Sequence, residues 1–119
     1  MEEVKFKMDS ILDSVKKLLG IQADYTVFDA DLIIHINSVF VILQQLGVGP
    51  STGYYIEDAS DVWDSFITDV DMHLVKSYMY LKVRLMFDPP TSTALIESME
   101  RIIAELEWRL YVVGSEGGE

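Results

Sequence analysis

The segment from Val70 to Pro90 constrains the fold of this chain more than any other stretch. A helix over Asp71–Phe87, turning by about 100° per residue, carries apolar side chains around most of its circumference. Such a helix packs against neighbours on several sides rather than on one surface. Asp88–Pro90 ends it, because proline lacks an N–H donor and disfavours helix in the preceding residue. We therefore predict a central helix whose main stripe is Met72, Val75, Met79, Val83 and Met86.

Lys82 is the one residue that departs from this pattern, because it lies on the apolar side between Met79 and Met86. One interpretation is that its stem packs while its ammonium reaches water. The other is an ion pair with a carboxylate of another helix or another subunit. An unpaired buried ammonium is excluded by its desolvation cost.

Further helices are predicted on either side of the central one. The first is capped by Ser10 or Asp9 and ends at Gly20, and the second is capped by Asp29 and runs from Ala30 to about Leu46. A short helix, capped by Asp58 or Ser60, extends to about Thr68. The central helix then begins at Asp69 or Asp71. A last helix, capped by Ser92 or Thr93, runs to about Val113. Their core stripes are predicted as Ile11, Leu12, Val15, Leu18 and Leu19; Leu32, Ile36, Val39, Leu43 and Leu46; and Leu95, Met99, Ile102, Ile103, Leu106 and Leu110.

Two irregular segments complete the predicted architecture. Glycines and a proline mark turns in residues 48–58, and Tyr54–Ile56 has strand propensity, so we expect a loop or a small extended hairpin there. Residues 114–119 form a polar, glycine-rich tail that we expect to be flexible. The prediction is an all-α bundle of four to five helices, with one helical domain over residues 1–113 followed by that tail.

Composition narrows the class of protein. Half of the 119 residues are apolar, which is enough for one domain with a sizeable core. The absence of cysteine excludes disulfides and thiolate metal sites. The N-terminus lacks the pattern of a signal peptide, and the longest apolar stretch, Leu32–Leu46, is too short to span a bilayer. We expect a soluble protein that has no membrane partner and is not exported.

The formal net charge of −11 is unevenly distributed along the chain. No basic residue lies between Lys17 and Lys76, whereas nine Asp and Glu residues do. Such a surface repels phosphate backbones, which argues against adhesive binding of nucleic acid. The charge either serves solubility alone or forms a surface that lies near DNA without holding it.

We find no pattern that predicts catalysis, a metal site or a cofactor. The acidic cluster at 57–71 lacks the glycine and terminal glutamate of a calcium loop, and its carboxylates suit capping and a solvated face. His35 and His73 do not have metal-ligand spacing, and His35 fits the border of a core stripe. No nucleophile has a base partner, and the glycines do not form a phosphate loop. We therefore predict a protein that is not an enzyme.

Several apolar residues fall on helix faces that a monomer does not need. Ile34 and Val41 project opposite the core stripe of the second helix, and Ala104, Trp108 and Tyr111 lie on the far side of the last one. Trp108 either contacts another molecule or is packed by the N-terminal segment or the loop. The candidate subunit or partner interface comprises Ile34, Val41, Tyr54, Tyr55, Lys82, Ala104, Trp108 and Tyr111.

Five stretches carry a resemblance to a known family. They are Ile11–Gly20, Ile34–Phe40, Leu46–Pro50, Val75–Pro90 with its Phe-Asp-Pro-Pro breaker, and Glu105–Leu110. In this order they resemble the head–tail connector proteins of tailed bacteriophages and prophages. The resemblance covers nearly the whole chain but includes no chemical fingerprint.

The resemblance implies a structural virion protein at the head–tail junction, present in the host cytoplasm during assembly. Its subunits form a ring below the portal, expected to be a dodecamer, that extends the DNA channel and gives the tail or stopper protein a platform. DNA passes through without specific binding. The alternative is a small acidic helical regulatory or scaffold domain that binds one protein partner.

Overall fold

The computed structural model describes residues 9–67 and 72–117, and the described chain forms five helices and no strand. The helices are α1 (Ile11–Leu19), α2 (Asp29–Gln45), α3 (Trp63–Phe66), α4 (Met72–Phe87) and α5 (Thr93–Gly117). This confirms the predicted all-α bundle. Among the described residues, no helix combines the length and the apolar character needed to cross a membrane.

Helix α4 is the predicted central helix. It packs against α1, α2 and α5, and Val75, Tyr78, Met79 and Val83 are completely buried along it. Met86, predicted as the last residue of its main stripe, is instead exposed, at the edge of α2, where its sulfur lies near the Ser38 hydroxyl. The predicted start of the helix at Asp69 or Asp71 falls outside the described residues.

Lys82 lies partly exposed on α4. No carboxylate of residues 9–67 or 72–117 forms an ion pair with it. Its partial exposure is compatible with the interpretation in which the stem packs and the ammonium reaches water. A pair with another subunit stays a hypothesis.

Helix α1 begins and ends as predicted. The Ser10 hydroxyl accepts the N–H of Asp13 at 3.1 Å, and Gly20 ends the helix with φ of +84°. The prediction for Leu18 was wrong, since its side chain is 56% exposed whereas Lys16 is completely buried. Helical rotation places these two residues on opposite flanks of the α1 stripe, and the flank of Lys16 is the one that faces a partner, Asp29 of α2.

Helix α2 has the predicted core stripe but a different start. Leu32, Ile36, Val39 and Leu43 are completely buried. Asp29 is not the N-cap: Phe28 holds that position without a side-chain hydrogen bond, and the Asp29 carboxylate binds Lys16. The local capping signal was overridden by a tertiary ion pair. Gly47, with φ of +85°, follows the end of the helix.

Helix α5 begins as predicted and continues past Val113. The Ser92 hydroxyl accepts the N–H of Leu95 at 3.2 Å, and the helix extends to Gly117. It can do so because buried Gly114 packs against the end of α2, where a Cβ atom on Gly114 would lie 2.3 Å from the Leu46 carbonyl oxygen. Residues 118–119 lie outside the described chain, and the flexibility of the segment 114–119 stays a prediction.

The predicted core stripe of α5 is only partly correct. Met99, Ile103 and Leu110 are buried, whereas Leu95 and Ile102 are about half exposed. The two exposed residues share one flank of the helix, and the neighbouring helices leave that flank open. Periodicity alone could not reveal which flank of a wide apolar face is covered.

Residues 48–58 form a loop held by side chains rather than a hairpin. The Asn37 side chain accepts the Ile56 N–H at 2.7 Å and donates to the Ile56 carbonyl at 3.0 Å, in place of a partner strand. Helix α3 is shorter than predicted and starts after Val62, without a side-chain cap. The proposed caps serve the loop instead: the Asp58 carboxylate accepts the N–H and hydroxyl of Ser60.

Candidate functional site

An apolar surface surrounds the outward face of α2, and we call it the α2 surface. Ile34 and Val41 of the predicted interface lie on it and are 66% and 53% exposed. The structure adds residues from the α1–α2 linker and the end of α4, which the sequence analysis missed. The α2 surface comprises Tyr25, Val27, Phe28, Ile34, Val41 and Met86, all of them exposed.

Aromatic contacts join the linker part of this surface to the end of α4. The ring of Phe28 lies 5.2 Å from that of Phe87, edge to face, and 5.8 Å from that of Tyr25. His35 adds a fourth ring, 6.4 Å from Phe87, as expected for a histidine at the border of the core. The Met86 sulfur lies 3.9 Å from the Ser38 hydroxyl, which joins the end of α4 to the middle of α2. Large exposed apolar surfaces of this kind are typical of interaction sites.

A buried lysine sets the position of the linker that contributes to the α2 surface. The Lys16 ammonium donates to Asp29 at 2.7 Å and to the Ala23 carbonyl at 3.0 Å. The Ile21 N–H also bonds to the Lys16 carbonyl at 2.8 Å. These hydrogen bonds fix both ends of the linker, and its aromatic residues lie between the two fixed ends. Lys16 is not among the predicted site residues, although its place beside the apolar stripe of α1 was an available signal.

A second exposed surface lies on α5, and we call it the α5 surface: Ala104, Trp108 and Tyr111. The Trp108 side chain is 64% exposed, and its ring stacks on that of Tyr111 with centroids 6.0 Å apart and 27° between the planes. An ion pair between Arg109 and Glu105, at 2.8 Å, accompanies the two rings. The described loop does not cover Trp108, and the N-terminal segment that was the other option lies outside the described residues.

The structure separates the two loop tyrosines of the predicted interface. Tyr55 is exposed, directly before the anchored Ile56. Tyr54 packs between Phe40 and Phe66, with ring centroids 5.1 and 5.4 Å away, so its ring belongs to an internal aromatic cluster rather than to the surface. Burial, followed by the negative charge of Asp61, raises the pKa of the Tyr54 hydroxyl.

The acidic residues of the loop accept hydrogen bonds from its backbone. Asp61 accepts the N–H of Glu57 at 2.7 Å and of Asp58 at 3.3 Å. Hydrogen bonds from Ser60 lower the pKa of the Asp58 carboxyl. In residues 9–67 and 72–117, no group of three His, Asp or Glu side chains could hold a metal ion. The carboxylates of Asp58 and Asp61 therefore order the loop itself.

Comparison with known proteins identifies a family for this chain. A family model described as phage connector protein matches residues 11–117, which is nearly the whole chain. Neither the curated proteins nor the solved structures include a significant match to the chain.

Proposed function

The chain belongs to the phage connector protein family, and from this we propose that it is a structural protein of the virion head–tail junction. In this proposal its subunits form a ring below the portal, expected to be a dodecamer, and the ring offers a platform to the tail or stopper protein. The family match over residues 11–117 carries the proposal. The role is architectural, without catalysis or a cofactor.

The two exposed surfaces support ring formation. A closed ring with one kind of contact is heterologous, so each subunit needs two different and complementary faces. The α2 surface and the α5 surface are built from different helices and carry different side chains. We propose that the Trp108–Tyr111 pair of one subunit packs on the Ile34–Val41 face of the next. Tyr55 and Lys82 complete the predicted contact region.

The acidic charge supports the passage of DNA. The carboxylates of Asp24, Asp31, Glu57, Asp58 and Asp64 are exposed, in a part of the sequence that contains no basic residue. Lining a channel with such residues repels the phosphate backbone and prevents adhesion. In this proposal DNA therefore slides through the ring without being bound.

The first test is the native mass of the full chain by light scattering, alone and mixed with the portal protein of the same phage. A closed oligomer, or one that forms only with the portal, supports the proposal. A monomer or dimer that ignores the portal at high concentration contradicts it, and favours the regulatory or scaffold domain with one protein partner. The double variant Ile34→Ser/Val41→Ser separates the two cases further, because it should abolish ring closure while leaving the α5 surface intact.

A further inference from the structure

An apolar groove that neither assembly surface includes lies between α1, α4 and α5. Its volume is about 430 Å³, and its walls are formed by Leu18, His73, Lys76, Ser77, Tyr80, Leu81, Ile102 and Leu106. Leu18 and Ile102, both predicted as core residues, are 56% and 47% exposed in it. Two helix stripes therefore have apolar flanks that no described residue covers.

Asp9, the first residue that the structure describes, lies beside this groove. The Lys76 ammonium, which lines the groove, lies 2.5 Å from the Asp9 carboxylate. The same ammonium lies 5.7 Å from the centre of the Trp63 ring, so this side chain is held from two sides. The Asp9 carbonyl also accepts the Trp63 N–H at 3.2 Å. The residues before Asp9 thus join the chain beside the groove.

The sequence of residues 1–8 matches the groove in pattern and in length. Val4, Phe6 and Met8 alternate with Lys5 and Lys7, so an extended segment presents three apolar side chains on one face. The groove follows α4 from His73 to Leu81, which is about 12 Å of helix. Four extended residues span about 13 Å, so the segment is long enough to fill it.

We propose that residues 1–8 bind in this groove of their own chain, with Val4, Phe6 and Met8 against Leu18, Leu81, Ile102 and Leu106. The segment covers the exposed flanks of α1 and α5 and so completes the hydrophobic core. The groove is then an internal site of the subunit, separate from the surfaces assigned to the ring.

Disulfide trapping tests the proposal on the isolated full chain. The chain has no cysteine, so two introduced ones are the only thiols present. The double variant Val4→Cys/Ile102→Cys, oxidised mildly at low micromolar concentration, should form a cross-link within one chain, seen as a faster-migrating monomer on a non-reducing gel. A second pair, Val4→Cys/Leu18→Cys, probes the opposite wall in case one geometry is unfavourable.

A matched control separates binding from mere tethering. Adding Phe6→Ser and Met8→Ser keeps the tether and removes two apolar contacts, so trapping should slow about tenfold if the segment is bound. An unchanged rate overturns the proposal, as does the absence of a cross-link in both pairs. Cross-linked dimers would assign the groove to a second copy and also overturn it. Because the measurement needs neither ring nor portal, its failure is distinct from a failure of the connector proposal.

Discussion

The ammonium of Lys16 is completely buried and lies 2.7 Å from the carboxylate of Asp29, across the linker between α1 and α2. A buried charge is tolerated only with a partner, because the desolvation penalty is several kcal/mol. The pair joins the inner flank of α1 to the first turn of α2. It also holds the linker residues of the α2 surface in place.

Removing the acidic partner should cost more than removing the lysine. Asp29→Asn leaves the buried ammonium without its counter-charge, and we expect a loss of about 3 kcal/mol in the free energy of unfolding. Lys16→Met keeps an apolar stem of similar length and should cost less than about 1.5 kcal/mol. Urea denaturation measures both, with Lys17→Met at the exposed neighbour as the control for charge. If Asp29→Asn lowers the free energy of unfolding no more than Lys17→Met does, the ion pair does not stabilise the fold.

Trp108 and Leu110 form a matched pair on α5 for testing assembly against stability. Trp108→Ala removes a side chain that is 64% exposed, so the subunit should stay folded with a loss below about 0.5 kcal/mol. Leu110 is completely buried, and Leu110→Ala should cost about 2–5 kcal/mol. Thermal unfolding measures the stability of each variant, and the native mass in a mixture with the portal protein measures its assembly. A large stability loss with intact assembly in Trp108→Ala would show that the indole is part of the core.

Tyr78 should make the stability fall at high pH. Its buried hydroxyl donates to Glu107 at 2.7 Å, and burial together with this acceptor raises the pKa of the Tyr78 hydroxyl well above 10.0. The unfolded chain loses this proton near pH 10 while the folded chain keeps it. The stabilisation is thus complete below pH 10 and decreases above it, by at most about 1.4 kcal/mol per pH unit.

The Tyr78→Phe variant isolates this effect. It lacks the ionisable group, so the difference in unfolding free energy between the wild type and the variant should narrow as the pH rises from 9 to 11. Tyr25→Phe, at an exposed ring, should show no such change. A constant difference for Tyr78→Phe over that range would contradict the assigned hydrogen bond.

Gly114 should be intolerant of any side chain. A Cβ atom there meets the backbone of Leu46 and Gly47 at 2.3 to 2.9 Å, which no rotamer change can relieve. Gly114→Ala should therefore lift the last turns of α5 away from α2, at a cost of about 1–3 kcal/mol. Amide hydrogen exchange over residues 110–117 should become faster, while Ser115→Ala at an exposed position leaves it unchanged. Equal protection in both variants would mean that the close packing is not needed.

The local sequence determined the helices of this protein, since their signals act within a few residues. Ser10, Gly20 and Ser92 cap or end helices by contacts within one turn, and the prolines after Asp88 can only stop one. The continuous apolar character of α4 likewise required cover on several sides. These features, and the all-α class with them, follow from periodicity and capping alone.

Only the tertiary structure decided which flank of each apolar face is buried. Leu18 and Ile102 belong to wide stripes, and the placement of the neighbouring helices left them exposed. The structure places Asp29 in an ion pair with the buried Lys16, whereas the sequence predicted it as a helix cap. It places the Tyr54 ring in an aromatic cluster, whereas the sequence predicted it at the surface. These outcomes depend on contacts between residues that are far apart in the chain, so a local sequence pattern could not predict them. The same holds for the α2 surface, whose residues come from the linker, α2 and α4 and meet only in the folded chain.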